Sequence, residues 1–154
     1  MSIPFDTVVL SGDQVPQALP LVQAAWPSVD LATWQRFVQF FSGRAAMGES
    51  GVLALRDPAG YLCGILAYRL DWDLRAGPML AVDLFAAIDL ANSLRTVRAL
   101  LDAAKARASE LGCAGVQVRL CNEQAGLASH LRSLGLSSHA GLFWKKVAGA
   151  HTYN

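Results

Sequence analysis

The sequence has almost no net charge and few charged residues, which excludes two classes of partner. Its 13 Lys+Arg and 12 Asp+Glu residues leave a formal charge of +1, and charged residues make up 16% of the chain. Non-specific binding to nucleic acids or to anionic membranes depends on an excess of basic residues. We therefore expect neither a nucleic acid nor a membrane surface as a partner.

Cysteine is also scarce, and long apolar runs are missing. The 3 cysteines are odd in number and show no CxxC spacing, so they predict free thiols rather than disulfides or a zinc site. The 3 histidines show no metal-ligand spacing either. A bilayer span needs about 18 uncharged apolar residues, and no run approaches that length. These absences favour a cytoplasmic protein with no bound metal.

Apolar residues, by contrast, are abundant, at 53% of a chain of 154 residues. A domain of about 150 residues buries about 70% of its unfolded surface, so this length fits one domain with a large core. No repeat, low-complexity tract or flexible linker divides the chain, and we expect residues 1–154 to form a single domain. The apolar content is also compatible with a homodimer, in which a second copy covers part of the surface.

Hydrophobic periodicity predicts a strand, two helices, three strands, a helix, a strand, a helix and a last strand. Asp30 is the expected N-cap of the second helix, and "DPAG" the turn of a hairpin between the second and third strands. The run "MLAVDLFAAI" reads as a fourth strand buried on both faces. A long amphipathic helix follows, with Gly112 as its stop.

This order resembles the GNAT N-acetyltransferase superfamily. "VDLFA" resembles the fourth strand of that family, "RALLDAAKARASELGC" its main helix, and "NEQAGLASHLRSLGL" its closing segment. The resemblance implies an α/β (α+β) fold with a mixed central sheet of about six to seven strands flanked by about four helices. It also implies acetyl-CoA, or another acyl-CoA, as cofactor.

The family holds the pyrophosphate of acetyl-CoA on a loop of pattern R/Q-x-x-G-x-G/A at the start of the main helix. Here the two glycine positions fall on Arg95 and Val97, so the signature is absent. A cation in the first turn opposes the helix dipole, which favours an arginine there when an anion binds beside it. The alternative is a simple cap with solvated arginines. The candidate phosphate-binding residues are Asn92, Ser93, Arg95, Thr96 and Arg98.

Two further cofactor contacts follow from the resemblance. The end of the fourth strand, at Phe85, Ala86 and Ala87, supplies backbone groups for the cofactor. Asn122 occupies the position of the family's asparagine that contacts the pantetheine arm, although a helix N-cap would look the same.

The catalytic base of the family is typically a carboxylate on or near the fourth strand. Asp83 is the one charged residue of "MLAVDLFAAI" and is the candidate base. The alternative is that it marks a solvent-accessible edge or accepts from a neighbouring N–H. Many relatives use a tyrosine of the last helix as the acid, and that position falls on Leu131, which cannot donate a proton.

Acceptor binding is expected from aromatic and acidic residues near the site. Trp34 lies on a helix that lines the acceptor pocket in this fold, with core packing as the alternative. Asp71, Trp72 and Asp73 are expected at a loop tip where two carboxylates and a ring could receive an amine, with a solvated turn as the alternative.

The sequence therefore predicts an acyl-CoA-dependent N-acyltransferase that acts by direct transfer to an amine of a small molecule or peptide. The missing glycines and tyrosine leave an alternative, a catalytically inactive GNAT-like module for binding or dimerisation.

Overall fold

In the part of the chain that the structure describes, the fold is a five-stranded sheet with helices on both faces. The computed structural model describes residues 5–43, 48–88, 93–120 and 125–138, together with residue 145. The strands are β1 (Asp6–Val9), β2 (Ser50–Arg56), β3 (Leu62–Asp73), β4 (Gly77–Ala87) and β5 (Gly115–Val118). The helices are α1 (Gln14–Gln17), α2 (Leu19–Ala25), α3 (Leu31–Ser42), α4 (Ser93–Glu110) and α5 (Ala125–Ser133).

The strands follow one another across the sheet in the order β1-β2-β3-β4-β5. The first four are antiparallel, whereas β5 runs parallel to β4 because α4 carries the chain back across the sheet. This is the mixed sheet that the sequence predicted, with five strands in the described part of the chain rather than six to seven. The segment predicted as the last strand, 138–147, lies largely outside the described residues.

Two tight hairpins place β2, β3 and β4 side by side. Asp57 closes the β2–β3 turn, because its side-chain Oδ1 accepts from the backbone N–H groups of Ala59 and Tyr61 at 2.9 Å each. The β3–β4 hairpin is longer than expected. Asp71, Trp72 and Asp73 are the last residues of β3, paired with β4, and not the tip of a loop. Gly77 permits the tight return with a φ of +88°.

One face of the sheet packs against α1, α2 and α3. Asp30 caps α3, since its carboxylate accepts from the Thr33 N–H at 2.8 Å, as the sequence predicted. Trp34 lies at the centre of this core with 1% of its surface exposed. Its indole N–H donates to the Val15 carbonyl at 2.7 Å, which ties α3 to α1.

The opposite face packs against α4 and α5. Val97, Leu100, Leu101, Ala104 and Ala108 form the buried stripe of α4. Gly64 of β3 is closely packed against β2, because a Cβ there would lie 3.3 Å from the Leu55 Cβ, whereas the Leu100 methyl carbons of α4, at 3.5 Å, would be in ordinary contact with it. Within the described residues, no helix is both long and apolar enough to cross a membrane.

Gly64→Ala tests whether the close packing of β3 against β2 requires a glycine at this position. The added methyl meets the Leu55 Cβ, which moves with the backbone, so we expect the free energy of unfolding to fall by about 1–3 kcal/mol. The measurement is urea unfolding at equilibrium, followed by tryptophan fluorescence.

Gly126→Ala is the matched control. No atom lies within 4 Å of a Cβ at Gly126, which is exposed in α5, so the same change should raise stability by up to about 1 kcal/mol. Equal stability of Gly64→Ala and the parent protein would contradict the packing argument.

Candidate active site

β4 contains one residue more than β3 can pair with, and that residue is Asp83. Ala67 is opposite Leu84, and the next residue of β3, Tyr68, is opposite Val82. The extra residue is a β-bulge, which bends a strand locally and re-aims a side chain. Val82 faces α4 and Leu84 faces α1–α3, and the Asp83 side chain between them lies on the α1–α3 face, where it contacts Arg69.

The bulge also marks the point where β4 loses a neighbour. β5 pairs with β4 from Met79 to Val82, and the Arg119 N–H adds a last bond to the Val82 carbonyl at 2.9 Å. From Asp83 to Ala87, no described strand pairs with that edge of β4. At about 3.3 Å per residue, the open edge is roughly 13 Å long. A backbone edge of this kind offers hydrogen-bonding groups to an extended ligand.

Four charged side chains form a chain of contacts at the bulge. Arg69 Nε donates to Asp83 Oδ2 at 2.7 Å, and Arg69 Nη1 lies 3.3 Å from Asp71 Oδ2. Arg119 Nη1 lies 3.6 Å from the other oxygen of Asp83, Oδ1, too far for a hydrogen bond. Arg69 therefore fixes the carboxylate through one oxygen, while the second faces a more loosely placed cation.

Exposure differs sharply along this chain. The Asp83 side chain is 14% exposed and that of Arg69 33%, whereas Asp71 and Arg119 are 45% and 54% exposed. Burial alone would lower the pKa of Arg69. The hydrogen bond and charge of Asp83, and then those of Asp71, offset this and raise the pKa above its ordinary value. Arg69 thus stays charged.

The first turn of α4 follows the open edge along the chain. Arg95 and Arg98 are exposed, one turn apart, while Thr96 and Val97 are each 1% exposed and point into the protein. The first N–H groups of a helix have no partner within it, and the dipole adds positive potential. This end of α4 therefore combines backbone donors with two cations.

An open cleft of about 930 Å³ lies beside this turn. Arg95 and Thr96 line it together with residues of α2 and of the β2–β3 hairpin and with Ile88, the residue after β4. The Arg95 guanidinium lies over the ring of Phe5, 5.5 Å from its centroid, a cation–π contact. Arg95 therefore belongs both to the first turn of α4 and to the wall of this cleft.

The structure brings part of the predicted site together. Asp83, Phe85, Ala86 and Ala87 follow one another along the open half of β4, with Phe85 and Ala86 buried. Ser93 begins α4. The predicted contacts Asn92 and Asn122 lie outside the described residues.

The predicted acceptor-binding residues divide into three groups. Trp34 is core and does not reach the surface. Asp73 closes the β3–β4 turn by accepting from the backbone N–H groups of Ala76 and Arg75, which lower the pKa of its carboxyl. Asp71 contacts Arg69, and Trp72 is 72% exposed near the hairpin end.

Sequence reasoning missed Arg69 and Arg119. Each lies in a stretch where polar or charged residues alternate with apolar ones, which is the pattern of a strand. The alternating residues are Arg69, Asp71 and Asp73 in one stretch and Gln117 and Arg119 in the other. The pattern indicates a shared face but not which side chains meet across strands. No group of His, Cys, Asp or Glu in the described part of the chain could hold a metal ion.

Solved structures with this fold are numerous, although their sequences are distant. The aminoglycoside N-acetyltransferase AAC(6')-Iy in complex with CoA matches with a TM-score of 0.74 and 12% identity, over 94% of this chain and 95% of that one. A transcriptional regulator from Bacillus halodurans matches with a TM-score of 0.76 and 14% identity, over 92% and 99%. Glucosamine-6-phosphate N-acetyltransferase from Arabidopsis thaliana matches with 0.63 and 9%, over 94% and 99%.

The chain has the fold of the GNAT acetyltransferases. This confirms the resemblance read from the order of its elements. No protein-family model matches the sequence, and no curated protein matches it significantly. At 9–17% identity, the likeness to the solved structures is one of fold.

A double-mutant cycle on Arg69 and Asp83 tests whether their contact holds the bulge. Because Asp83 is largely buried and the bond is charge-assisted, we expect a coupling energy of about 1–2 kcal/mol between Arg69→Ala and Asp83→Ala in urea unfolding.

The ion pair of Arg107 and Glu110, at 3.0 Å on the surface of α4, is the control. Such exposed pairs couple by about 0.5 kcal/mol or less. If the two cycles gave the same coupling, the contact at the bulge would be an ordinary surface pair.

Proposed function

We propose that this protein is an acyl-CoA-dependent N-acyltransferase that transfers an acyl group, in the first instance acetyl, directly to an amine of a small molecule or peptide. One observation carries the proposal: the open edge of β4 leads from a fixed carboxylate, Asp83, toward the first turn of α4. A thioester stretched along this edge would have its anionic end at Arg95 and its acyl end near Asp83.

The residues present fit such a cofactor. The first N–H groups of α4 and the guanidinium groups of Arg95 and Arg98 suit a pyrophosphate. The backbone from Phe85 to Ala87 suits the amides of a pantetheine arm. Ser93, Thr96, Asn92 and Asn122 are the further contacts that we propose, with Thr96 acting from a buried position.

The missing glycines do not remove this fit. Of the two glycine positions, Val97 packs into the core beneath α4, whereas Arg95 stands on the open side. An arginine in place of glycine exchanges close backbone approach for a charged donor. This predicts a cofactor held more by side-chain charge, and hence a stronger dependence on salt.

When bound, acyl-CoA supplies an acyl group activated as a thioester. We propose Asp83 as the base, with a different role for each of its two carboxylate oxygens. Oδ2 is held by Arg69, which orients the carboxylate, and Oδ1 makes no hydrogen bond among the described groups, so it can accept a proton from the incoming ammonium. Arg69 is then a positioning residue, and Asp71 positions Arg69.

Two of the proteins with a similar fold are N-acetyltransferases of small molecules, one of an aminoglycoside and one of glucosamine 6-phosphate. For this chain we propose an amine acceptor that approaches the bulge from the face of α1–α3. Asp71 and Trp72 lie on the same hairpin, where a carboxylate and an exposed ring can guide it.

The alternative is a GNAT-like module that binds a partner, or a second copy of itself, without catalysis. It is favoured by the missing glycine signature and by Leu131 at the position where many relatives have a tyrosine. The similar fold of a transcriptional regulator is compatible with it.

Calorimetric titration with acetyl-CoA and with CoA at low salt separates the two functions. We expect micromolar binding, and we expect Arg95→Glu to weaken it by more than about tenfold, because the change removes a cation and adds an anion beside the pyrophosphate.

Lys105→Glu makes the same charge change on the same helix, about 15 Å farther from its start, and should alter the affinity by less than about threefold. A protein that binds neither ligand at about 1 mM would contradict the acyltransferase and leave the binding module.

A further inference from the structure

Asp83 and Arg119 form a loose pair of opposite charges beside the proposed acyl end. Arg119 Nη1 lies 3.6 Å from Asp83 Oδ1, without a hydrogen bond, and the Arg119 side chain is 54% exposed. Asp83 is anchored by its other oxygen, so Arg119 is not needed to hold it. Because Arg119 is half exposed and makes no hydrogen bond to Asp83, solvent screens their attraction and the pair contributes little to stability. The stability of the bulge does not account for a cation at this position.

We propose that Arg119 binds a carboxylate of the acceptor, and that the acceptor is an α-amino acid or carries the same grouping. The inference rests on the proposed function and narrows its substrate class. In an α-amino acid the amine and the carboxylate sit on one carbon, with roughly 2.5 Å between the amine nitrogen and the carboxylate carbon. One ligand can therefore meet Asp83 and Arg119 together.

An α-amino acid can contact both Asp83 and Arg119 without a large movement of either side chain. Charge-assisted hydrogen bonds are about 2.7–2.9 Å long. The ligand's ammonium bound to Asp83 Oδ1, and its carboxylate bound to Arg119, complete a four-sided ring of alternating charge whose fourth side is the existing 3.6 Å separation. An α-amino acid holds the two groups at this spacing in every conformer, whereas a longer flexible spacer would have to fold back to close the ring.

The surrounding charges favour the same substrate. Arg69 is paired with Asp71 as well as with Asp83, so the four side chains carry no net charge and Arg119 is the loosely held cation. An acceptor that carries only positive charge would bind Asp83 and leave Arg119 without an anion. A carboxylate on the ligand neutralises Arg119 and leaves Asp83 free to take the proton of the ammonium. When Arg119 exchanges Asp83 for the carboxylate of the ligand, the same movement selects the substrate and frees Asp83 to act as base.

The decisive comparison is between L-amino acids and their amides, which keep the amine and side chain but lack the carboxylate charge. The assay measures CoA release from acetyl-CoA for a panel of the twenty amino acids and the corresponding amides. For the best acceptor, we expect kcat/KM to be at least about tenfold higher for the acid than for the amide.

Arg119→Gln should abolish this preference. We expect kcat/KM to fall by more than about tenfold for the acid and by less than about threefold for the amide, with Arg119→Lys keeping part of the preference. Arg132→Gln, on the exposed side of α5, is the control and should leave both values unchanged.

The result that overturns the inference is equal use of acid and amide, or a preference that survives Arg119→Gln. Transfer to amides or other amines with no transfer to any amino acid would overturn it as well. Calorimetry with acetyl-CoA on the same preparations separates this failure from failure of the proposed function. Cofactor binding without the preference leaves an acyltransferase of another specificity, whereas no cofactor binding removes both.

Discussion

The hydrogen bond between Arg69 and Asp83 is the contact on which the candidate site depends. It joins β3 to the extra residue of β4 at 2.7 Å and holds that residue on the face of the sheet opposite α4. The pairing of β4 with β5 stops at Val82, next to this residue, and no described strand pairs with the rest of that edge. The contact therefore fixes the proposed base at the point where the backbone edge along which the proposed cofactor would lie begins.

Local patterns in the sequence were sufficient for most of the fold. The capping of α3 by Asp30 and the stop of α4 at Gly112, whose φ is +71°, depend on residues close in the chain. The β2–β3 hairpin depends likewise on Asp57 and Gly60 within one turn. In each case the residue that determines the local structure lies within a few positions of it in the sequence, so a local sequence pattern is enough to predict that structure.

The candidate site was only partly predictable, because it depends on register. Asp83 was identified as the charged residue of an apolar strand. Its partners, Arg69 and Arg119, lie fourteen and thirty-six positions away in the sequence. A shift of one residue would have sent Asp83 to the other face. Nothing in "MLAVDLFAAI" marks the bulge, so the sequence predicted the carboxylate without its cations. The extension of β3 to Asp73 was missed for a similar reason, since cross-strand pairing overrode the loop-like composition of "DWDLRAGP".

The high apolar content follows from the two cores, and this changes what the composition implies about partners. A sheet covered on one face only would alternate apolar and polar residues, whereas β2 and β4 are buried over most of their length on both faces. Helices of the same chain supply the cover on each side. The 53% apolar residues are therefore no argument for a second copy of the chain. A homodimer would have to be argued from exposed apolar side chains, and two of these, Trp72 and Leu74, lie at the end of the β3–β4 hairpin with 72% and 96% of their surface exposed. That hairpin also carries Asp71 and Arg69, so a partner bound at its end would lie beside the ion pairs that lead to the bulge.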